Sequence, residues 1–308
     1  MEQILRVNKY FRDRFGSKIY KIALNGGMTC PNRDGKISTG GCIFCSEGGS
    51  GDFAPPSGVN ISEQIETSIK QVSAKIKDGK YIAYFQAYTN TYAPVEYLRS
   101  IFYEAIKHPA IVGISIATRP DCLPSEVLEL LDELNHIKPV FVELGFQTSN
   151  EHTAHFINRG YDNAVFDSAV RSLSELDIEV IAHVIIGLPN ETSSDVLNTI
   201  NHINSLPVNG IKLQLMHILR HTALEKIYAD SPDIFHFTDE NDYIWILGEC
   251  IEHLRPDIVI HRMTGDGPKK ILIAPTWSSN KKHVLNTMNN YFNTHNITQG
   301  RKYITNGT

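Results

Sequence analysis

Six short apolar runs recur along the chain: IYKIAL at 19–24, YIAYFQAY at 81–88, IVGISIAT at 111–118, VFVELGF at 140–146, VIAHVIIG at 180–187 and IKLQLMHI at 211–218. They are rich in β-branched residues and nearly continuous in hydrophobicity rather than alternating, the pattern of strands buried on both faces of a parallel sheet. Between them lie segments with apolar residues every three or four positions. SEQIETSIKQVSAKI puts Ile65, Ile69, Val72 and Ile76 on one helical face, and PSEVLELLDEL starts at Pro124, a residue suited to a first helical turn. APVEYLRSIFYEAIK, NAVFDSAVRSLSEL and TSSDVLNTINHIN share the helical period. Strand then helix, six times over, predicts an α/β fold, a partial (β/α)6 TIM-like barrel across residues 19–238. A basic segment, 1–18, precedes it, and a C-terminal extension with a basic tail, 239–308, follows. The extension reads as a helix (NDYIWILGECIEHL), a short strand (DIVIHRM) and a loop (TGDGPKK), while the Asn- and Thr-rich residues 286–296 predict little order.

In a parallel β/α array the C-terminal strand ends open at one mouth, where ligands bind. The polar and glycine-rich exceptions to the apolar runs fall there: QAYTNT at 86–91, ATRPD at 117–121, ELGFQTS at 143–149, HVIIGLPNET at 183–192 and LMHILRHT at 215–222.

Composition narrows the classes. The chain has 308 residues, 42% hydrophobic and 20% charged, enough for a sizeable core. Its first twenty residues are charged throughout, so no secretory signal is expected, and no run of about 18 apolar residues exists to span a membrane. Five cysteines in clustered spacing do not form a secreted disulfide framework, and a cytoplasmic location with no membrane partner is expected. The net charge of −5 hides an asymmetry: residues 1–36 carry +5 and residues 269–308 carry +6 with no acid, leaving −16 in the middle. Arg6, Lys9, Arg12, Lys269, Lys270, Lys281 and Lys282 lie among aromatics in these ends, a composition suited to phosphate neutralisation and base stacking, and equally to solvated lysines around a core.

The most informative stretch is TCPNRDGKISTGGCIFCSEGG at 29–49, with Cys30, eleven residues, Cys42, two residues and Cys45. Three thiols on the loop after the first strand leave a metal an open position. Zinc would need a fourth ligand from far along the chain, since no histidine occurs before residue 108. A cubane [4Fe–4S] cluster needs only three cysteines and keeps one iron open.

This loop resembles that of the radical S-adenosylmethionine (SAM) superfamily. Its spacing departs from the usual Cys-x-x-x-Cys-x-x-Cys, and the long first gap is similar to the branch of the elongator catalytic subunit, which modifies wobble uridines in tRNA. NGGMTCPNRDG, ATRPDCL, VELGFQTSNE, INRGYD and HVIIGLPNET agree with that branch, and HRMTGDGPKKILIAP resembles a C-terminal signature of one bacterial subfamily. The resemblance implies a barrel of the radical SAM type in which Cys30, Cys42 and Cys45 bind the cluster. It further implies SAM contacts from Phe44, from the QAYTNT segment (Gln86, Tyr88, Thr89), from Glu143 and Gln147, from Arg159 toward the SAM carboxylate, and from Gly187 and Leu188 toward adenine. The bland alternatives are an ion pair inside the barrel for Glu143 and a simple turn at Gly187. The subfamily is associated with conversion of carboxymethylaminomethyl to aminomethyl at C5 of wobble uridine. That implies tRNA (its anticodon stem–loop), an electron donor such as flavodoxin or ferredoxin, and a downstream methyltransferase as partners. Arg220 and Arg262 suit a substrate carboxylate or phosphate. Two other functions fit the residues: radical chemistry on a small molecule, or a zinc-stabilised RNA-binding protein without redox chemistry.

Overall fold

Nine strands and ten helices are described in the computed structural model, which covers residues 3–49, 54–56, 58–73, 79–265 and 267–304. The strands are β1 (Ile19–Leu24), β2 (Lys80–Phe85), β3 (Ile111–Thr118), β4 (Val140–Gln147), β5 (Glu179–Ile186), β6 (Gly210–Leu215), β7 (Ile218–Leu219), β8 (Val259–Arg262) and β9 (Leu272–Ala274). The helices are α1 (Val7–Phe15), α2 (Ile61–Ser73), α3 (Val95–Lys107), α4 (Ser125–Asn135), α5 (Glu151–Phe156), α6 (Asn163–Glu175), α7 (Ser193–Asn204), α8 (Ala223–Asp230), α9 (Glu240–His253) and α10 (Lys281–Thr294). Seven strands form one parallel sheet in the order β1-β2-β3-β4-β5-β6-β8, curled into a partial barrel, and β7 pairs with β9 in a small antiparallel ribbon.

All six apolar runs form strands. The second run ends earlier than expected, at Phe85, so Gln86–Thr91 is loop, and the sixth breaks after Leu215. Ile76 of the α2 pattern lies outside the described residues. Helices α2, α3, α4, α6 and α7 cover the outside of the sheet, and the apolar residues of strands and helices merge into one core. The Asn-rich segment is helical after all. Val284, Met288 and Phe292 of α10, spaced four apart, are buried against α9, and burial of that stripe outweighs the weak propensity of Asn and Thr.

Two departures position the site. β8, from within the expected extension, pairs with β6 as a seventh strand. The outer edge of β8 is met by the start of the chain: the Ile260 amide donates to the Leu5 carbonyl, and Arg6 bridges Ile260 in parallel fashion. The second concerns α1, which closes the bottom of the barrel. Phe11 packs edge-on to Phe141 with 5.6 Å between ring centroids, in a cluster with Ile19, Ile82 and Ile181 from the N-terminal halves of four strands. The mouth at the opposite end is left to the loops. Among the described residues no helix is long and apolar enough to cross a membrane.

Candidate active site

The loop after β1 is folded by its own backbone and braced from the far side of the barrel. Within it the Arg33 amide donates to the Cys30 carbonyl at 2.8 Å and the Cys45 amide to the Cys42 carbonyl at 3.0 Å. The Arg33 guanidinium reaches over the turn to the carbonyls of Cys45 and Ser46. From the segment after α5, Asn158 donates to Ser38 Oγ and the Gly41 carbonyl, accepts on its own carbonyl from Asn32, and adopts a left-handed φ of 56° to do so. Asn32 Nδ2 also points at Cys42 Sγ, 3.6 Å away.

All three cysteines line one cavity of about 300 Å³ at the barrel mouth, walled also by Phe44, Gln86, Tyr88, Thr89, Glu143, Gln147 and Arg159. Ten of the twelve sequence-derived cofactor residues are therefore brought together. Gly187 and Leu188 are not. Leu188 is fully buried in a separate apolar cluster with Ile157, Met216, Leu224 and Phe235, and a side chain at Gly187 would meet the His236 carbonyl at 3.4 Å. Both stand behind the wall, and Ile185 and Met216 supply its apolar surface there.

Two other expectations change on contact geometry. Glu143 is fully occupied inside the barrel: Oε1 accepts from Lys21 Nζ at 2.6 Å and Ser115 Oγ at 2.7 Å, while Oε2 accepts from His183 Nε2 at 2.7 Å and from Lys212 Nζ. A carboxylate offers about four lone-pair sites, so none remains for a ribose. Glu143 thus ion-pairs with Lys21 and Lys212 inside the barrel. Burial opposes its charge, but Lys21 and Lys212 hold the carboxyl well below the usual range. Arg159, 1% exposed, spends all five N–H donors on the carbonyls of Phe146, Thr148 and Tyr161 and on Glu151 and Asn163. It clamps the end of β4 and has no donor left for a ligand.

Arg119, which sequence reasoning passed over although ATRPD stood among the strand-end exceptions, is better placed. Asp121 grips it side-on at 2.9 and 2.7 Å, a third N–H meets the Arg159 carbonyl, and two N–H groups remain on the cavity wall beside the thiols. Burial works against its charge, but Asp121 more than offsets that. Gln147 sits at a β4 bulge with φ of 69°, which turns its amide into the cavity, and its buried Oε1 has no hydrogen-bond partner. Tyr88, also at positive φ, stacks under Arg33 and lies so close to Gly49 that a Cβ there would fall 2.2 Å from the ring.

The residues fit the cofactors of a three-cysteine site. A cubane spreads its thiolates over separate irons, which suits three thiols spaced around one cavity. Burial, with Cys45 adding to it, pushes the Cys42 thiol up to about 12 while Arg119 opposes, so metal binding there must release a proton. The orphaned Gln147 oxygen and the two spare donors of Arg119 are the kinds of group that meet an ammonium and a carboxylate. Cys122 and Cys250 are buried and outside the cavity.

The basic residues divide. Lys269 and Lys270 are exposed and follow Pro268 of the cavity wall, in a loop whose Gly265 and Gly267 wrap the His217 ring so closely that a Cβ would fall 2.6 and 3.1 Å from it. Lys281 and Lys282 open α10 and are exposed. Arg6 bonds Asn289, Lys9 pairs with Asp13, and Arg12 lies on α1 beneath the barrel. The plug role of α1 thus puts Lys9 and Arg12 at the end opposite the mouth, away from Lys269 and Lys270.

Comparison with known proteins gives a consistent picture. Residues 32–203 match the model of the family described as the Radical SAM superfamily, and 208–294 that of the Radical_SAM C-terminal domain. The chain is 43% identical over 295 residues to the Bacillus subtilis (strain 168) protein YtqA, covering 96% of this chain and 91% of that one. It is 31% identical over 301 residues to MJ0486 of Methanocaldococcus jannaschii, covering 96% and 90%. Its fold is similar to that of the archaeal Methanocaldococcus infernus Elp3 lacking its N-terminus, with a TM-score of 0.68 at 14% identity, 91% of this chain and 64% of that chain being covered.

Proposed function

We propose, for a chain that belongs to the radical SAM superfamily, that it modifies tRNA by converting 5-carboxymethylaminomethyl-(2-thio)uridine at the wobble position to 5-aminomethyl-(2-thio)uridine. The [4Fe–4S] cluster and SAM of this family supply, when bound, reductive cleavage of SAM and a hydrogen-abstracting radical. In this chain Cys30, Cys42 and Cys45 would hold the cluster. Phe44, Gln86, Tyr88, Thr89, Gln147 and Arg119 would surround SAM, with Arg119 taking the role first given to Arg159.

One observation carries the reading: a single cavity joins the three thiols to a far wall carrying the Arg262 cation and Lys212, while Lys269 and Lys270 stand exposed beside its rim. A loop nucleotide splayed from the anticodon stem–loop suits a cavity of this size, because unstacked loop bases are the readable part of RNA. Lysines at the rim suit its phosphates. A reductant such as flavodoxin or ferredoxin would deliver the electron, and a separate methyltransferase would consume the aminomethyl product.

The test is anaerobic reconstitution with iron and sulfide, then dithionite, SAM and bulk tRNA from cells lacking the gene. Nucleoside mass spectrometry should show carboxymethylaminomethyl uridine turning into aminomethyl uridine alongside 5′-deoxyadenosine, both lost in Cys42→Ala. Formation of 5′-deoxyadenosine with untouched tRNA would redirect the search to small-molecule substrates.

A further inference from the structure

β8 carries an irregularity that aims two successive side chains inward. Ile211 of β6 pairs with Ile260, but its neighbour Lys212 pairs with Arg262, skipping His261. The bulge tucks the His261 ring down toward Phe11, where it fits because position 210 is glycine: a Cβ there would stand 2.7 Å from His261 Nε2. Arg262 is left beside Lys212 on the cavity wall.

Among the described residues the charges around this pair do not balance. Glu143 is the one acid among the described residues of the wall, and it already serves Lys21 and Lys212. Burial, with Lys212 nearby, lowers His183 to about 4, and His261 is held well below its usual value mainly by burial, so both rings are neutral near pH 7. Tyr84 is pushed well above its ordinary value, first by burial and then by Glu143, and stays a neutral phenol. The other wall arginines are accounted for: Arg33 holds loop carbonyls, Arg119 pairs with Asp121, and Arg159 is saturated. Arg262 has no acceptor among the described residues. Its field falls on Tyr84, His183 and Lys212, whereas Arg119 acts on Cys42, Cys122 and Tyr161. The cavity therefore has two cationic stations, one beside the thiols and one on the strand at the opposite edge of the sheet from β1.

We propose that Arg262, with Lys212 beside it, is the substrate anchor of the cavity and binds a carboxylate. The forked guanidinium donates two N–H groups to a planar carboxylate. Lys212, lowered to about 7 mainly by burial with Glu143 opposing, bonds Glu143 and Tyr84, and an incoming carboxylate favours its charged form, which has a third donor to give. The anchor rests on the reading above that the substrate carries a carboxymethylamino group, and it assigns that group's negative end to β6 and β8. It also explains how an acid and its aminomethyl product are told apart: conversion removes the anion, and the product loses its hold.

The probes are 5-carboxymethylaminomethyluridine and its methyl ester, titrated calorimetrically into reconstituted enzyme with SAM and no reductant. The wild type should bind the acid at least about 30-fold more tightly than the ester, since truncating one side of a desolvated charge pair costs that much or more. In Arg262→Gln the preference should fall to about threefold or less, and Arg262→Lys, which keeps charge without the fork, should lie between. Cluster content and SAM affinity should be the wild-type ones in both variants. No acid preference in the wild type, or an equal one in Arg262→Gln, would overturn the anchor. A variant that loses SAM affinity but keeps the preference would give the guanidinium to the SAM carboxylate instead, and overturn it too. Acid preference without tRNA conversion would keep the anchor and sink the tRNA reading; conversion with a preference indifferent to Arg262 would do the reverse.

Discussion

Glu143 shows how one residue can look like a cofactor contact in sequence and serve as a keystone in the fold. Its position in VELGFQTS matches a ligand-binding strand, but Lys21, Ser115, His183 and Lys212 converge on it from β1, β3, β5 and β6, and nothing in a linear sequence marks those four as its neighbours. Removing one partner of a buried ion pair strands the other charges, so Glu143→Gln should cost about 3–5 kcal/mol in denaturant unfolding, with β1–β6 loosened together. Its folded carboxyl titrates well below the ordinary 4.5. As pH falls the unfolded chain takes up that proton first, so the stability Glu143 supplies near neutrality drains away below about pH 4.5. His183 adds an earlier slope. Its folded value of about 4 lies below the ordinary 6.5, and the unfolded state again protonates first, so stability is lost as pH drops from 6.5 toward 4. Glu191, raised mainly by burial from 4.5 to about 7, slopes the other way over its window. Melting curves of wild type and His183→Gln should therefore converge as pH falls through 6.5 to 4, and curves that stay parallel would contradict the neutral buried ring. Arg159 teaches the same lesson. INRG could be read as a ligand arginine because its five carbonyl and side-chain acceptors are visible only once β4 and α5 are folded.

At the scale of elements, the continuous apolar runs were legible because both faces of these strands are covered, so no alternation masked them. β8 was harder. Four residues with a half-polar pattern carry little period, and its partners, β6 and the chain's fifth and sixth residues, are distant in sequence. α1 was legible as basic and aromatic but not as a plug, since only assembly shows Phe11 meeting Phe141 and His261. Phe11→Ala should cost about 3–5 kcal/mol, as large-to-small changes of buried aromatics do, read by chemical denaturation. Gly210→Ala should cost about 1–3 kcal/mol by crowding His261, and should disturb β8 before the cysteine loop, which hydrogen–deuterium exchange on the two segments would separate.

For the whole molecule, the fold redistributes the charge that the sequence placed at the two ends. Part of one basic end, on α1, goes under the barrel, and part of the other goes to the rim. If tRNA docks over the mouth, Lys269→Ala with Lys270→Ala should weaken binding and flatten the slope of log affinity against log salt by roughly 1–2. Lys9→Ala with Arg12→Ala should leave both unchanged. The reverse pattern would move the RNA to the bottom face.

The brace on the cysteine loop also has a history in time. Cys45 leaves the ribosome more than a hundred residues before Asn158, which pins the loop at Ser38, Gly41 and Asn32. At about 5–20 residues per second, synthesis of that interval takes roughly 6–23 s. Through it the three thiols travel on an unbraced segment, open to oxidants and to scavenging metals. The loop becomes a defined receptor only when the fourth strand and the turn beyond α5 arrive, so iron delivery belongs after that moment, to a nascent chain already half built.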